Sequence, residues 1–251
     1  MLPMIDPSIL SRNIYDIKRD GVTQSLLVKF LTCRHSCALY LAGVRPNRNK
    51  EAMQYGNVFH WLLEHYYTPK GLAKRLPRVG DMPIRAVDVD GLGEKWEQIK
   101  WSAQAIFTAY AEYYGDTDHE FAWVKSESEF GIPYVAATQM RAVETVLRGK
   151  RDGVYVQPPR NTTWLFETKT TTQFDDTTRS KQLEMDFQNL FYITATELEL
   201  DIKISGVLYN VVKRPGHKQG KKETIAEFRG RVKDVVASSP GDYFKRFEIK
   251  Y

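Results

Sequence analysis

The stretch RDGVYVQPPRNTTWLFETK, residues 151–169, decides how this chain is read. Its second half opens TTWLFETKTT (162–171), whose β-branched and aromatic residues predict a strand. Its first half completes VETVLRGKRDGVYV (143–156), a second strand, and QPPRN between them turns the chain. Alternate side chains of a strand share a face, so Glu167 and Lys169 point together. Thr168 points to the opposite side and leaves its carbonyl near them. Antiparallel pairing through the Pro158-Pro159 turn lets Asp152 converge on Glu167. Two carboxylates and a carbonyl make a hard-oxygen site suited to Mg2+ or Mn2+. Such an ion polarises a phosphoryl oxygen and activates water. The Lys169 ammonium beside it can orient the attacking water or hold transition-state charge. The competing reading is a solvated hairpin with a Glu–Lys pair, because an E-x-K triplet alone is common.

Working outward, FAWVKSESEFGIPY (121–134) and IKISGVLYNVVK (202–213) read as further strands. The segment 179–200 reads as a helix with Leu183, Phe187, Leu190 and Phe191 on one side, and 222–237 as another. YFKRFEIKY closes the sequence in extended form. Before residue 120 the periodicity is helical. One helix is expected over 24–42, with Leu26, Leu27, Phe30, Leu31, Leu39 and Tyr40 as its apolar pattern. RPNRNK (45–50) connects it to a second helix from Lys50 to Tyr67, striped by Val58, Phe59, Leu62, Leu63 and Tyr66. Residues 69–83 read as loop, and 94–114 as a third helix. This order predicts one α/β domain over 1–251: a mainly helical part to residue 120, then an αβ core over 121–251.

Composition bounds the function. With 251 residues and 42% hydrophobic, the chain can bury a large core, which excludes global disorder. Lys and Arg number 36 against 31 Asp and Glu, a net +5 that suits a polyanionic partner. Two cysteines, Cys33 and Cys37, are too few for a disulfide framework or for the four thiolates of an iron–sulfur cluster. No apolar run approaches the length of a membrane span. A soluble, cytoplasmic protein is expected, without membrane association.

Gly56 and His60 stand four apart on the second helix, and Glu64 shares the His60 face. Gln188 and Tyr192 are likewise four apart on the helix after the E-T-K strand. Each pair alone is as well explained by an ordinary polar helix face. In order, however, GNVFH (56–60), RDG (151–153), ETK (167–169) and QNLFY (188–192) resemble the RecB-like, phage-type exonuclease branch of the PD-(D/E)XK nucleases. LTCRHSCALYL and SGVLYNVVKRP are flanks of the same character.

That resemblance implies a restriction-endonuclease-like fold, a mixed central sheet flanked by helices, with a helical N-terminal region. It implies metal ligation by His60, Asp152, Glu167 and the Thr168 carbonyl, and catalysis by Asp152, Glu167 and Lys169. Gln188 and Tyr192 would contact DNA or brace the site; Glu64 and Glu129 are weaker candidates around the metal. Arg151 stands where the family name has proline. The implied activity is hydrolysis of DNA phosphodiesters with Mg2+ or Mn2+, as an exonuclease in end processing, recombination or phage DNA metabolism. DNA is the expected partner and a recombination protein a further one. The alternative is a non-catalytic nucleic-acid-binding module with the same fold. KRPGHKQGKK (213–222) carries no acid, and its Pro and Gly break regular structure. It is expected to be a mobile loop placing Lys218, Lys221 and Lys222 on the DNA backbone.

Overall fold

A computed structural model describes residues 14–44, 50–83, 92–93, 95–137, 142–158, 160–174 and 186–251. In chain order these form α1 (Ile17–Asp20), β1 (Val22–Thr23), α2 (Gln24–Thr32), α3 (Arg34–Leu41) and α4 (Lys50–Tyr66). A small hairpin of β2 (Tyr67–Thr68) and β3 (Gly71–Leu72) precedes the long α5 (Lys95–Asp118). Then come β4 (Ala122–Ala137), β5 (Ala142–Gln157), β6 (Thr162–Thr171), α6 (Phe187–Leu200), β7 (Ile204–Lys213), α7 (Ile225–Ser238) and β8 (Phe244–Lys250). The chain divides into two units, and β4 and β5 each contribute to both.

The larger unit comprises Asn49–Ser128, Arg151–Glu184 and Lys203–Tyr251. It contains the hairpin on which the sequence reading turned, with β5 antiparallel to β6 and Gly153 opposite Phe166. The next strand, β7, is parallel to β6, with Glu167 beside Tyr209 and Thr168 beside Asn210. β8 then runs antiparallel to β7. The sheet is therefore mixed, as expected for this α/β class.

The central strands bury apolar residues on both faces, Leu165, Val207 and Val211 on one and Trp164, Phe166, Leu208 and Val212 on the other. Trp164 and Phe166 of β6, with Leu208 and Val212 of β7, join a core with α4, α5 and α7. The α4 stripe Val58, Phe59, Leu62, Leu63 and Tyr66 is buried, as its spacing predicts. Phe59 meets Tyr110 edge-on at 5.7 Å. α7 begins at a capping box formed by Thr224 and Glu227.

Two motif glycines are explained by close approach. A Cβ on Gly153 would lie 2.7 Å from the Trp123 ring, so only glycine lets Trp123 pack onto the hairpin. A Cβ on Gly56 would lie 3.4 Å from Thr170 Oγ1, so glycine lets α4 lie close to β6.

The smaller unit comprises Met1–Arg48, Glu129–Lys150 and Met185–Ile202. Here β1 pairs in parallel with β5, Val22 opposite Leu147. Phe130, Ile132, Leu147, Phe191 and Ala195 form its apolar cluster, flanked by Leu27, Phe187 and Tyr192.

Several expectations need correction here. The helix expected over 24–42 is two helices, because Cys33 is extended at φ −159 and ψ 109. Its Sγ accepts the Ser36 N–H and so caps α3 rather than continuing α2. Phe30 and Leu31, both ahead of that break, are 48% and 65% exposed, not inward. Cys37 is buried and Cys33 exposed; both are free thiols. On α6, Leu190 is exposed, and the buried stripe runs through Phe191 and Ala195 instead. Residues 45–49, Pro159 and 179–185 of the expected connection, turn and helix, Leu183 included, lie outside the described residues. No described helix is long and apolar enough to cross a membrane.

Candidate metal centre

Three elements of the larger unit bring one side chain each to a common point. His60 stands on α4 at the edge of the buried stripe, so its ring projects beside the core rather than into it. Asp152 arrives on β5 just before the glycine that admits Trp123. Glu127 arrives on β4. Ligand atoms of His60, Glu127 and Asp152 all lie within 4.8 Å of one another. His60 Nδ1 is 2.6 Å from Glu127 Oε1 and 3.6 Å from Asp152 Oδ1.

β6 supplies the remaining groups. The Thr168 backbone N–H donates to Asp152 Oδ2 at 2.6 Å, which fixes that carboxylate. Glu167 and Lys169 share a face, as alternation requires, and the Lys169 ammonium donates to Glu167 Oε1 at 2.5 Å. Asp152 joins His60 and Glu127, while Glu167 is held by its own strand neighbour two residues on.

The electrostatics report a crowded acidic pocket. Burial pushes Glu167 up to about 7, the Asp152 charge adds to the rise, and Lys169 opposes it. Asp152 is likewise raised, by burial first, with His60 opposing and Glu127 adding to the rise. Burial disfavours the charged form of His60, but Asp152 and Glu127 outweigh it and carry the imidazole up to about 9. Burial also works against the Lys169 charge, yet Glu167 and Asp152 hold its proton above the usual lysine range. Such clustering of buried acids is costly unless positive charge offsets it. A hard divalent cation fits that requirement and this donor set of two carboxylates and one imidazole.

Beneath the site, on the Phe166 face of the sheet, runs a second buried polar chain. Asn210 donates to Thr168 Oγ1 at 3.1 Å, and Arg246 Nε donates to Asn210 Oδ1 at 3.3 Å. Arg246 then forks onto Asp118 at 2.5 and 2.8 Å and lies 3.5 Å over the Tyr114 ring. Tyr67 also donates to Asp118, at 2.5 Å. The strand carrying Thr168 and its N–H is thereby tied to α5.

Glu127 is the residue that sequence reasoning missed. The run SESEF offers Glu127 and Glu129 at equal parity from Trp123, and the expectation fell on Glu129. Glu127, however, has a left-handed backbone with φ 45, a strained conformation for a residue with a side chain. That twist shifts the alternation: Trp123 and Glu127 are buried, then Phe130 and Ile132, while Glu129 turns outward. Glu64 is exposed on α4 and does not join the cluster. Arg151, where the family name has proline, is fully buried and donates to Ser128 Oγ at 3.1 Å.

Gln188 and Tyr192 lie on α6 in the smaller unit. Tyr192 packs edge-on against Phe130 at 6.0 Å, so its ring serves the local apolar cluster. Lys218, Lys221 and Lys222 are exposed in an irregular segment after β7. Its far end is anchored: Arg231 donates to the Lys218 carbonyl, and Glu223 accepts the Gly220 N–H.

A family model for the PD-(D/E)XK nuclease superfamily matches residues 22–246. No curated protein matches. Among solved structures, one titled "Crystal structure of SSO0001" is 12% identical, with a TM-score of 0.29. That match covers 79% of this chain and 75% of the other.

Proposed function

This chain belongs to the PD-(D/E)XK nuclease superfamily, and from that membership we propose that it is a divalent-metal-dependent deoxyribonuclease of the RecB-like, phage-type branch. The observation that carries the reading is the meeting of His60, Glu127 and Asp152 beside the Glu167–Lys169 pair. His60, Glu127, Asp152 and Glu167, with the Thr168 carbonyl, would hold Mg2+ or Mn2+. The ion supplies Lewis acidity and charge neutralisation at the phosphodiester. The chain's own groups do the rest. Asp152 is aimed by the Thr168 N–H, so its geometry is set before substrate arrives. Lys169 carries a firmly held proton and places positive charge where the attacking water and the phosphoryl oxygens would meet. His60 must shed its proton to donate a lone pair to the ion, which ties ion affinity to pH.

The order of motifs, with Gln188 and Tyr192 after the catalytic strand, supports action on DNA ends. In this reading the two residues touch DNA or brace the site. The exposed lysines 218, 221 and 222 contact the backbone without reading bases. End processing in recombination or phage DNA metabolism, beside a recombination partner and in the cytoplasm, is the proposed setting. The test is end-labelled linear DNA against closed circular DNA, both with Mn2+. Mononucleotides or short ladders from the linear substrate and an intact circle support the exonuclease. Nicked or linearised circles would make it an endonuclease.

A further inference from the structure

Past the Glu167–Lys169 pair, β6 ends in Thr170 and Thr171, and Thr172 follows it. Thr170, Thr171 and Thr172, with Ala52 of α4 and Arg214, line an open hollow. Strand rise places Thr171 about 7 Å from Lys169 along β6 and about 13 Å from Glu167. The hollow therefore lies within a nucleotide or two of the candidate centre along an extended backbone.

Its chemistry is selective. The Thr172 hydroxyl and a guanidinium are donors suited to phosphate oxygens, while the Thr171 hydroxyl already donates to the Gln173 carbonyl at 2.7 Å. The Arg214 backbone N–H donates to the Thr171 carbonyl at 2.6 Å, and its guanidinium lies 5.8 Å over the Tyr55 ring. Among the described residues no carboxylate forms an ion pair with Arg214. The nearby acid, Glu51, is paired with Lys95 at 2.6 Å. More positive charge stands alongside. Lys245 lies 4.7 Å over the Phe174 ring, and Lys213 lies 5.9 Å from that ring. A hollow with an arginine that pairs with no carboxylate among the described residues suits an anion better than a neutral or cationic ligand.

We propose that this hollow is a phosphate subsite, in which Arg214 and the Thr172 hydroxyl seat one phosphate of the nucleic-acid strand next to the phosphodiester at the candidate centre. It rests on the nuclease reading above for its substrate. The seated group is either an internal phosphodiester or a terminal phosphomonoester, and both present the same oxygens to Arg214. Seating it fixes the register of the strand over Asp152 and Glu167, and so sets how far from an end or from a bound phosphate the cut falls.

The test uses the whole chain in EDTA, so that binding is read without cleavage. Anisotropy is measured with single-stranded DNA bearing a 5′-phosphate, a 3′-phosphate or hydroxyl ends, and with a circular single strand. Arg214→Gln is the main variant, and Thr172→Glu, at an exposed position, is the second; melting temperatures check both folds. Loss of one charge-assisted contact should weaken binding about tenfold, and flatten the single-strand salt slope by about 0.7. A loss equal on all substrates assigns an internal phosphodiester. A loss confined to one phosphorylated end assigns a terminal group of that polarity. Unchanged affinity and slope in folded Arg214→Gln and Thr172→Glu overturn the subsite. Cleavage by the unmodified chain with Mn2+ is scored separately. Arg214-dependent binding without cleavage would sink the nuclease reading and leave the subsite standing. Cleavage with Arg214-independent binding would do the reverse.

Discussion

At the scale of single residues, the site is a set of charges held against their preference, and pH should expose this. Glu167 binds its proton more tightly folded, with a value near 7, than as an ordinary glutamate. The stabilisation from that protonated form is complete below about 4.5. It is lost as pH rises through the folded value. With metal removed, Glu167→Gln should therefore match the parent's stability near pH 4.5 and exceed it by pH 8, by on the order of 3 kcal/mol. Denaturant melts at both pH values check this; a constant difference would mean that Glu167 is not strained. His60 runs the same way in a higher window, since its raised value favours the charged form in the folded state. Its contribution is full below about 6.5 and is lost as pH climbs through about 9. A ligated imidazole must be neutral, so Mn2+ binding should release a proton and tighten between pH 6.5 and 9. Calorimetry in buffers of differing ionisation enthalpy reads that proton. His60→Ala should reduce the proton release, most of all above pH 7 where Glu167 is already ionised, and weaken Mn2+ more than Mg2+, because nitrogen is the softer ligand.

At the scale of elements, the hairpin of β5 and β6 was legible because period-two alternation and a Pro-rich turn are local signals. Asp152, Glu167 and Lys169 came with it. The α4 stripe was legible for the same reason at period 3.6. What stayed hidden depends on backbone twist or on distant partners. Glu127 enters the site through a left-handed residue that no alternation count contains. The break at Cys33 arises from a thiol cap, a weak local preference beside an otherwise helical run. Arg246 and Asp118 meet across 128 positions, and nothing in either neighbourhood announces the pair. That pair carries a prediction. Asp118 is fully buried, so Asp118→Ala leaves Arg246 charged and unpaired beneath β7. Stability should fall by about 3–5 kcal/mol. Chemical denaturation measures it; a loss under 1 kcal/mol, on the order of a surface pair, would show that the network does not brace the sheet.

At the scale of the whole molecule, a net charge of +5 points to a polyanion, and the acid-free segment 213–222 concentrates part of that charge. If Lys218, Lys221 and Lys222 each contact a phosphate, replacing all three with Ala should flatten the log–log salt dependence on duplex DNA by roughly two to three units. Affinity should fall alike for unrelated sequences, and turnover at saturating DNA should barely change. An unchanged slope would place the DNA elsewhere on the surface. In the proposed function, the carboxylate and imidazole cluster of the larger unit cuts phosphodiesters with a divalent ion. The direct measurement is cleavage of labelled DNA with Mn2+ by the parent chain and by Asp152→Asn, each shown to be folded by its melting temperature. Removing a buried charge that the fold disfavours should leave that temperature unchanged or raised. The account predicts metal-dependent products from the parent, none in EDTA, and none from Asp152→Asn. Full cleavage by the folded variant, or none by the metal-loaded parent, would contradict it.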